Sequence, residues 1–391
     1  MDKEKIIQSL KDWFKNEKWS FVVLAVAAVL FVFMRMNVRT EVPDTAGLSD
    51  YAEYERATVT EILSDNSETD DASDGSWRGE QALTMRVDSG QYKGETLLVN
   101  NYIGPLYGTP LKKGDSAVII INTYGSGDLR ATVYEYNRMP ALAGILILFF
   151  IITALVGGKT GIKSLIALAV TVAVLFGILI PWLLQGASTL PAVFVSCVYV
   201  TVVSLTLIGG VHRKTICAML GTAAGTALAM LFGVIAQSMT RINGLRTADV
   251  EPLLQLRQSG IPIGLTGLLS AGIMIAALGA VMDVAMSISS SLEEIHHANP
   301  DLSAKQLFAS GMNIGQDMTG TMTNTLILAF LGSGFTLILY LFSLGLSFNQ
   351  LFSSAYVSVE AVSSISSSIG MILAIPFTAA ISAYMLTHEK Q

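Results

Sequence analysis

The hydrophobic pattern is that of a chain crossing a bilayer many times. Apolar runs long enough to span roughly 30 Å of hydrocarbon at about 1.5 Å per residue occur near 19–36, 139–157, 163–184, 189–210, 215–238, 261–287, 323–345 and 366–386. About eight helices are expected, and an even number returns the C-terminus to its starting side. Between the first two runs the pattern changes. The stretches "ERATVTEIL", "QALTMRVDSG", "GETLLVNNYI", "DSAVIIINTY" and "LRATVYEY" alternate or run with β-branched and aromatic residues between Gly and Asp turns. That predicts five short strands and, with no helix among them, a small OB-like barrel. The expected fold class is a polytopic α-helical membrane protein of about eight transmembrane helices, with a small extracytoplasmic OB-like β-barrel domain inserted between helices 1 and 2. The expected parts are a basic cytoplasmic N-terminus over 1–18, a first helix over 19–36, the barrel over 40–138, and a seven-helix membrane domain over 139–386 containing a cytoplasmic helical hairpin at 283–320.

Composition agrees with the pattern. The 391 residues are 52% hydrophobic and only 14% charged, with mean hydropathy +0.56, too apolar for a soluble protein of this size. Orientation follows Lys and Arg in short loops. Lys3, Lys5, Lys11, Lys15 and Lys18 precede the first run, and an even count puts Lys159, Lys163, Arg213, Lys214 and the terminal "HEKQ" on the same, cytoplasmic side. One loop goes against the rule, since Arg241, Arg246 and Arg257 fall outside. The first run lacks a small-residue cleavage site and ends "FMRMNVRTE", as a retained anchor does.

Several features narrow the chemistry. The formal net charge is −6 and the barrel carries no basic stripe, so nucleic acid is not an expected partner. No "GxxxxGK[ST]" motif is present, so no ATP site is encoded, and no cofactor is expected. The insertion "SDNSETDDASDG", with Asp65, Glu68, Asp70, Asp71 and Asp74, lacks the ligand spacing of a calcium loop and reads as a solvated hairpin tip. Gly221, Gly225, Ala229 and Gly233 recur every four residues, a pattern that lets another helix approach closely. Cys197 and Cys217 fall inside predicted spans as small apolar side chains. His212, His296 and His297 sit at cytoplasmic helix ends, where solvation is a simpler reading than a metal.

The candidate site is a pair of polar stripes. In "NIGQDMTGTMTN", residues Asn313, Asp317, Thr321 and Asn324 share one helical face; upstream, "GAVMDVAMSISSSLEE" does the same with Asp283, Ser287, Ser290 and Glu294. Pro300 marks the turn between them, and Ser303 with Gln306 starts a capping box. Asp283 lies about fifteen residues before the turn and Asp317 about fourteen after the cap, each roughly 21–22 Å along a helix. The two aspartates are therefore expected to face each other at one depth, sharing a proton or holding a cation between them. The competing reading is a polar helix–helix contact at the inner membrane edge. Met282, Met286, Met312, Met318 and Met322 flank the region as packing. Asp283, Ser287, Asn313, Asp317, Thr321 and Asn324 are thus the candidate ion- or substrate-binding residues, with metal use left open. Glu360 is expected in the first turn of the last helix, where the helix dipole favours an acid, with a capping role placed ahead of an ion-entry one.

The blocks "GALGAVMDVAMSISSSLEEIHHANPDLSAKQLFASGMNIGQDMTGTMTNTLILAFLG", "SSIGMILAIPFTAAISAY", "GGKTGIKSLIAL" and "LIGGVHRKTICAMLGTAAG" resemble the YibE/F-like family of bacterial membrane proteins, over roughly 140–385. The resemblance implies a multi-pass protein of the bacterial plasma membrane, related to proteins thought to be transporters and to some that occur as paired membrane subunits. It names no substrate. Three functions are open: an ion-coupled secondary transporter or permease, with Asp283 and Asp317 as carriers and Gly-interrupted helices around them; an intramembrane aspartyl protease; and an envelope assembly or regulatory subunit whose barrel binds a partner. The protease reading fails on motif, because Gln316 and Met282, not Gly, precede the aspartates. The chain is therefore not expected to be an enzyme. Its expected partners are the lipid bilayer and either further copies of itself or a paired family membrane subunit.

Overall fold

The computed structural model describes residues 18–36, 52–123, 129–246 and 250–388. Most of the basic N-terminus and residues 40–51 of the expected barrel domain lie outside the described residues. Two compact units make up the chain, one of residues 1–43 and 153–391, the other of residues 44–152.

The smaller unit is a closed five-stranded barrel. Its strands are β1 (Ala52–Asp65), β3 (Ser76–Val87), β4 (Thr96–Ile103), β5 (Ser116–Thr123) and β6 (Leu129–Tyr136), with a short β2 (Glu68–Asp70) at one edge. All five expected strands are there; β2 is an addition, formed inside the acidic insertion and paired with the start of β3. β1 is long enough to serve two neighbours. Its first half pairs with β5 and its second half with β3, both antiparallel, with register shifts after Val59 and Ile62. β3 pairs with β4, β5 pairs with β6, and a parallel pairing of β4 with β6 closes the barrel. Alternation sends Val59, Leu83, Met85, Val99, Ile119 and Ile121 inward.

Among the buried polar residues of the barrel, Gln81 and Asn101 tie down a loop. Asn101 Nδ2 donates to Gln81 Oε1 (2.9 Å) and to the Thr109 carbonyl (3.0 Å), while the Leu111 amide donates to Gln81 Oε1 (2.9 Å). Gln81 Nε2 in turn donates to Asp65 Oδ2 (2.8 Å). The acidic insertion organises itself as the sequence leads one to expect of a solvated tip. Asp70 accepts from the Ala72 amide (3.0 Å) and the Ser73 hydroxyl (2.8 Å) and pairs with Arg78 at 2.5 Å. The Ser73 bond, together with Arg78, holds the Asp70 carboxyl below the usual range. Bonds from the Ser67 side chain and amide do the same for Asp65.

The larger unit is helical. Its elements are α1 (Lys18–Met36), α2 (Met139–Val174, whose first residues belong to the barrel unit), a π-helical turn (Leu175–Leu179) leading into α3 (Ile180–Leu184), α4 (Thr189–Gly209), α5 (Arg213–Thr240), α6 (Val250–Gln258), α7 (Leu268–Ala298), α8 (Ala304–Ser333), α9 (Phe335–Ser343), α10 (Phe348–Ser353) and α11 (Ala355–Thr387). Among the described residues five helices are long and apolar enough to cross a membrane, or up to six if the bent pair α8–α9 is one span; Val22–Met36 is a shorter apolar helix. The protein is membrane-embedded, and the eight separate runs of the sequence correspond to fewer continuous helices.

Two breaks account for the difference. At Gly158 the backbone turns to φ 54°, ψ −135° inside α2. The turn is sharp, because a Cβ on Gly161 would collide with the carbonyl oxygen of Thr153, whereas in an unbroken helix residues eight apart are about 12 Å distant. The second break is at Gly334, where α8 and α9 meet at 61°, so the expected span over 323–345 is not one straight helix.

The core is formed where α5, α7, α8 and α11 pack together. Small residues set the spacing: a Cβ on Gly225 would lie 2.6 Å from both Ala374 of α11 and Val281 of α7, and one on Gly311 would lie 2.8 Å from Ala379. The four-residue repeat along α5 is thus a packing edge, as expected. At one end of this bundle Lys214 pairs with Glu293 at 2.8 Å and Arg213 donates to the Met385 carbonyl at 3.2 Å. The 210–214 loop, the end of α7 and the end of α11 therefore share that end. Ser303 and Gln306 form the expected capping box on α8.

Candidate functional site

Asp283 sits at the midpoint of α7, fifteen residues from Leu268 and fifteen from Ala298, or about 22 Å of helix in each direction. The apolar positions Ile273, Ala277, Val281, Val284 and Ile288 are buried in the core, which leaves Asp283 on the face turned toward α2 and α4. There it lines a cavity of about 330 Å³ together with Ser164 and Thr171 of α2 and Ser196, Cys197 and Ser204 of α4. Thr171 donates to the Ala167 carbonyl (2.9 Å) and Ser196 to the Ala192 carbonyl (2.8 Å). Each hydroxyl proton is thus spent on its own helix, and the oxygen keeps its acceptor lone pairs. Asp283 itself makes no hydrogen bond or ion pair with any described residue. A carboxylate so placed, among hydroxyl oxygens and apolar walls, suits a proton or a small cation.

The structure does not bring Asp317 to this cavity. Asn313, Asp317, Thr321 and Asn324 do form one stripe on α8, and all four are exposed, as Asp283 is, but none of them lines the cavity; the helix turns its other edge to the core, with Gly311 pressed on Ala379 and Gly315 on Ile375. Residues two apart are about 200° apart around a helix, so Asn313 and Asp317, two positions either side of Gly315, must point away from α11. Ser287 is exposed one turn below Asp283 and does not line the cavity. The expectation that the two aspartates face each other is therefore corrected: equal offsets from the turn fix depth along the helices, but the glycine edge fixes rotation.

Three features were not foreseen. α11 buries a run of hydroxyls, Ser363, Ser364, Ser366, Ser367 and Ser368, followed by Thr378 and Ser382. Ser367 donates to the Ile273 carbonyl (3.3 Å) and Ser382 lies 3.2 Å from Ser289, whereas Ser368 Oγ and Thr378 Oγ1 are buried without a partner. The "SSISSS" stretch was itself the available signal. The second feature is the break at Gly334, signalled by "LGSGF". The third is Glu360, which lies in the second turn of α11 rather than the first, because the helix begins at Ala355; instead of capping that helix it lies against the break, with its Cγ 3.5 Å from where a Cβ on Gly334 would be. Cys197 and Cys217 are buried free thiols. The described residues hold no group of three or more His, Cys, Asp or Glu arranged for a metal ion.

A family model described as YibE/F-like protein matches residues 145–388. The chain belongs to the YibE/F-like family. The match runs from within α2 to the end of α11, so Asp283, the α8 stripe and Glu360 all lie in the family's shared region and the barrel lies outside it. No curated protein and no solved structure gives a match.

Proposed function

We propose that this YibE/F-like protein is an ion-coupled secondary transporter of the bacterial plasma membrane, with Asp283 as the group that takes up and releases the coupling proton or cation. The observation that carries the reading is the unpaired Asp283 carboxylate, at the midpoint of α7 and toward the end of its apolar run 261–287, opening to a cavity of about 330 Å³ whose mainly apolar wall also carries four hydroxyls. An intramembrane acid without a partner is costly unless it is protonated or neutralised by a cation, and alternation between those states is what coupling needs. The broken segments at Gly158 and Gly334 supply the interrupted helices that such carriers use.

The eight-span topology belongs to the same proposal. The sharp turn at Gly158 divides the 46-residue Met139–Leu184 helix into two arms; with α1, α4, α5, α7, the α8–α9 pair and α11 these make eight. Both termini then lie in the cytoplasm, supported by the grouping of Arg213, Lys214 and the end of α11 at one end of the bundle. The barrel is read as OB-like and extracytoplasmic, on the strength of its closed order β1-β3-β4-β6-β5 with the parallel β4–β6 pair.

The test is flux in proteoliposomes. Asp283→Asn preserves size and hydrogen bonding but cannot titrate, and it is expected to reduce proton- or cation-coupled flux at least about a hundredfold with the purification profile unchanged. Full coupled flux in that variant overturns the reading. A specific observation also favours an assembly role for α8: its exposed stripe Asn313, Asp317, Thr321 and Asn324 is too polar for lipid. We assign it to a contact with a second copy of the chain, whose amides and hydroxyls can both donate and accept across a two-fold axis.

A further inference from the structure

A second cavity is larger than the one at Asp283. About 650 Å³ in volume, it lies where the end of α8, the whole of α9 and α10 and the start of α11 meet, and its walls are almost wholly apolar. Phe330, Phe342, Phe348, Phe352 and Tyr356 supply aromatic surface, with Phe348 and Phe352 4.4 Å apart between ring centroids. Among all the lining residues only one is charged, Glu360.

Glu360 has no structural occupation that would explain it. It accepts no hydrogen bond and joins no ion pair among the described residues, and although it lies against the Gly334 break it takes nothing from the first turn of α9. A cap would have required such a bond. The cavity is bounded by large apolar side chains that are exposed, Phe342 by 65% and Phe348 by 73%, so it is open to a ligand from outside the bundle. Its volume falls within the range of about 300–1,000 Å³ typical of small-molecule sites.

We propose that this cavity binds an amphiphilic organic monocation, a protonated amine or quaternary ammonium on an apolar body. The cationic head meets the Glu360 carboxylate and the body lies among the aromatic side chains, which also attract cations. An unpaired acid in an apolar wall selects for positive charge, because a neutral occupant leaves it uncompensated. Walls whose only polar side chains besides Glu360 are Tyr356 and Ser364, the latter spending its hydroxyl proton on the Ala361 carbonyl, select for an apolar body. Neither selection involves Asp283, whose cavity is lined by other helices, so the inference stands apart from the coupling mechanism.

The experiment uses the full chain in lipid nanodiscs and two probes: a dansyl-labelled alkyl trimethylammonium and its neutral tert-butyl isostere. The wild type is expected to bind the cation at least about tenfold more tightly than the isostere. Glu360→Gln, which keeps the shape, is expected to bring the two affinities together, and Phe348→Ala to weaken both. Should Glu360→Gln fail to fold, Glu360→Asp shortens the reach of the carboxylate and is expected to reduce the preference in the same direction. Equal affinity of the wild type for both probes, an unchanged preference in the Gln variant, or no saturable binding of either probe overturns the proposal; the first of these outcomes would mark the cavity as an acyl-chain groove.

Discussion

Gly225 shows how little room the bundle leaves to individual residues. It is buried, and a Cβ there would come within 2.6 Å of two different helices at once, so neither neighbour can yield without disturbing the other. Gly225→Leu is expected to cost about 1–3 kcal/mol by overpacking, read as a lowered midpoint of thermal unfolding in detergent, whereas Gly279→Ala, where no atom lies within 4 Å of the added Cβ, is expected to leave that midpoint unchanged or raise it, since Ala is the better helix former. At this scale the sequence was partly legible. The spacing of Gly221, Gly225, Ala229 and Gly233 announced a close helix contact, and Asp283 stood out as an acid in an apolar run. What surrounded Asp283 was not legible, because Ser164, Thr171, Ser196 and Ser204 come from helices far away in sequence and each is an ordinary hydroxyl in its own helix.

At the scale of elements, what escaped the sequence was rotation and continuity. The Pro300 turn and the capping box at Ser303 located the boundary between α7 and α8, but facing is decided by which edge meets a third helix. Gly311 and Gly315 turn α8 toward α11 and so carry Asp317 outward; the third helix, α11, is some forty residues further on, so the hairpin's own residues could not reveal it. Likewise "TLILAFLGSGFTLILYLFSLG" reads as one uninterrupted run by hydropathy, which does not register a 61° bend. The outward stripe yields a prediction. Asp317→Cys, in an otherwise cysteine-free chain, is expected to crosslink between copies under mild oxidation in membranes, and a cysteine at Gly315, buried against Ile375, is not. In a second chain carrying cysteines at both 283 and 317, exclusive crosslinking of the two within one chain would restore the facing-aspartate arrangement, and crosslinking of Asp317→Cys only to a different protein would point to a paired family subunit.

At the scale of the whole molecule, the two units were the most legible feature, because a period-two pattern and a span-length apolar pattern cannot be confused over a hundred residues. The barrel's closure was implied by strand count, while β2 was hidden in an acidic stretch with little strand propensity. The proposed orientation rests on charge. The loop holding Arg241, Arg246 and Arg257 opposes the assignment; Arg257 donates to the Ile263 carbonyl at 3.1 Å, a local staple that leaves its charge in place. Ser67 sits at the exposed hairpin tip, beside Asp65, in the barrel unit. A cysteine there is expected to react with a membrane-impermeant thiol reagent in intact cells, and a cysteine at Asp301, in the turn between α7 and α8, only after the membrane is opened. The turn is the informative partner, because it adjoins the bundle end that carries Lys214 and Glu293. Labelling at position 301 but not at position 67 in intact cells would invert the topology and with it the direction from which the Asp283 cavity is loaded.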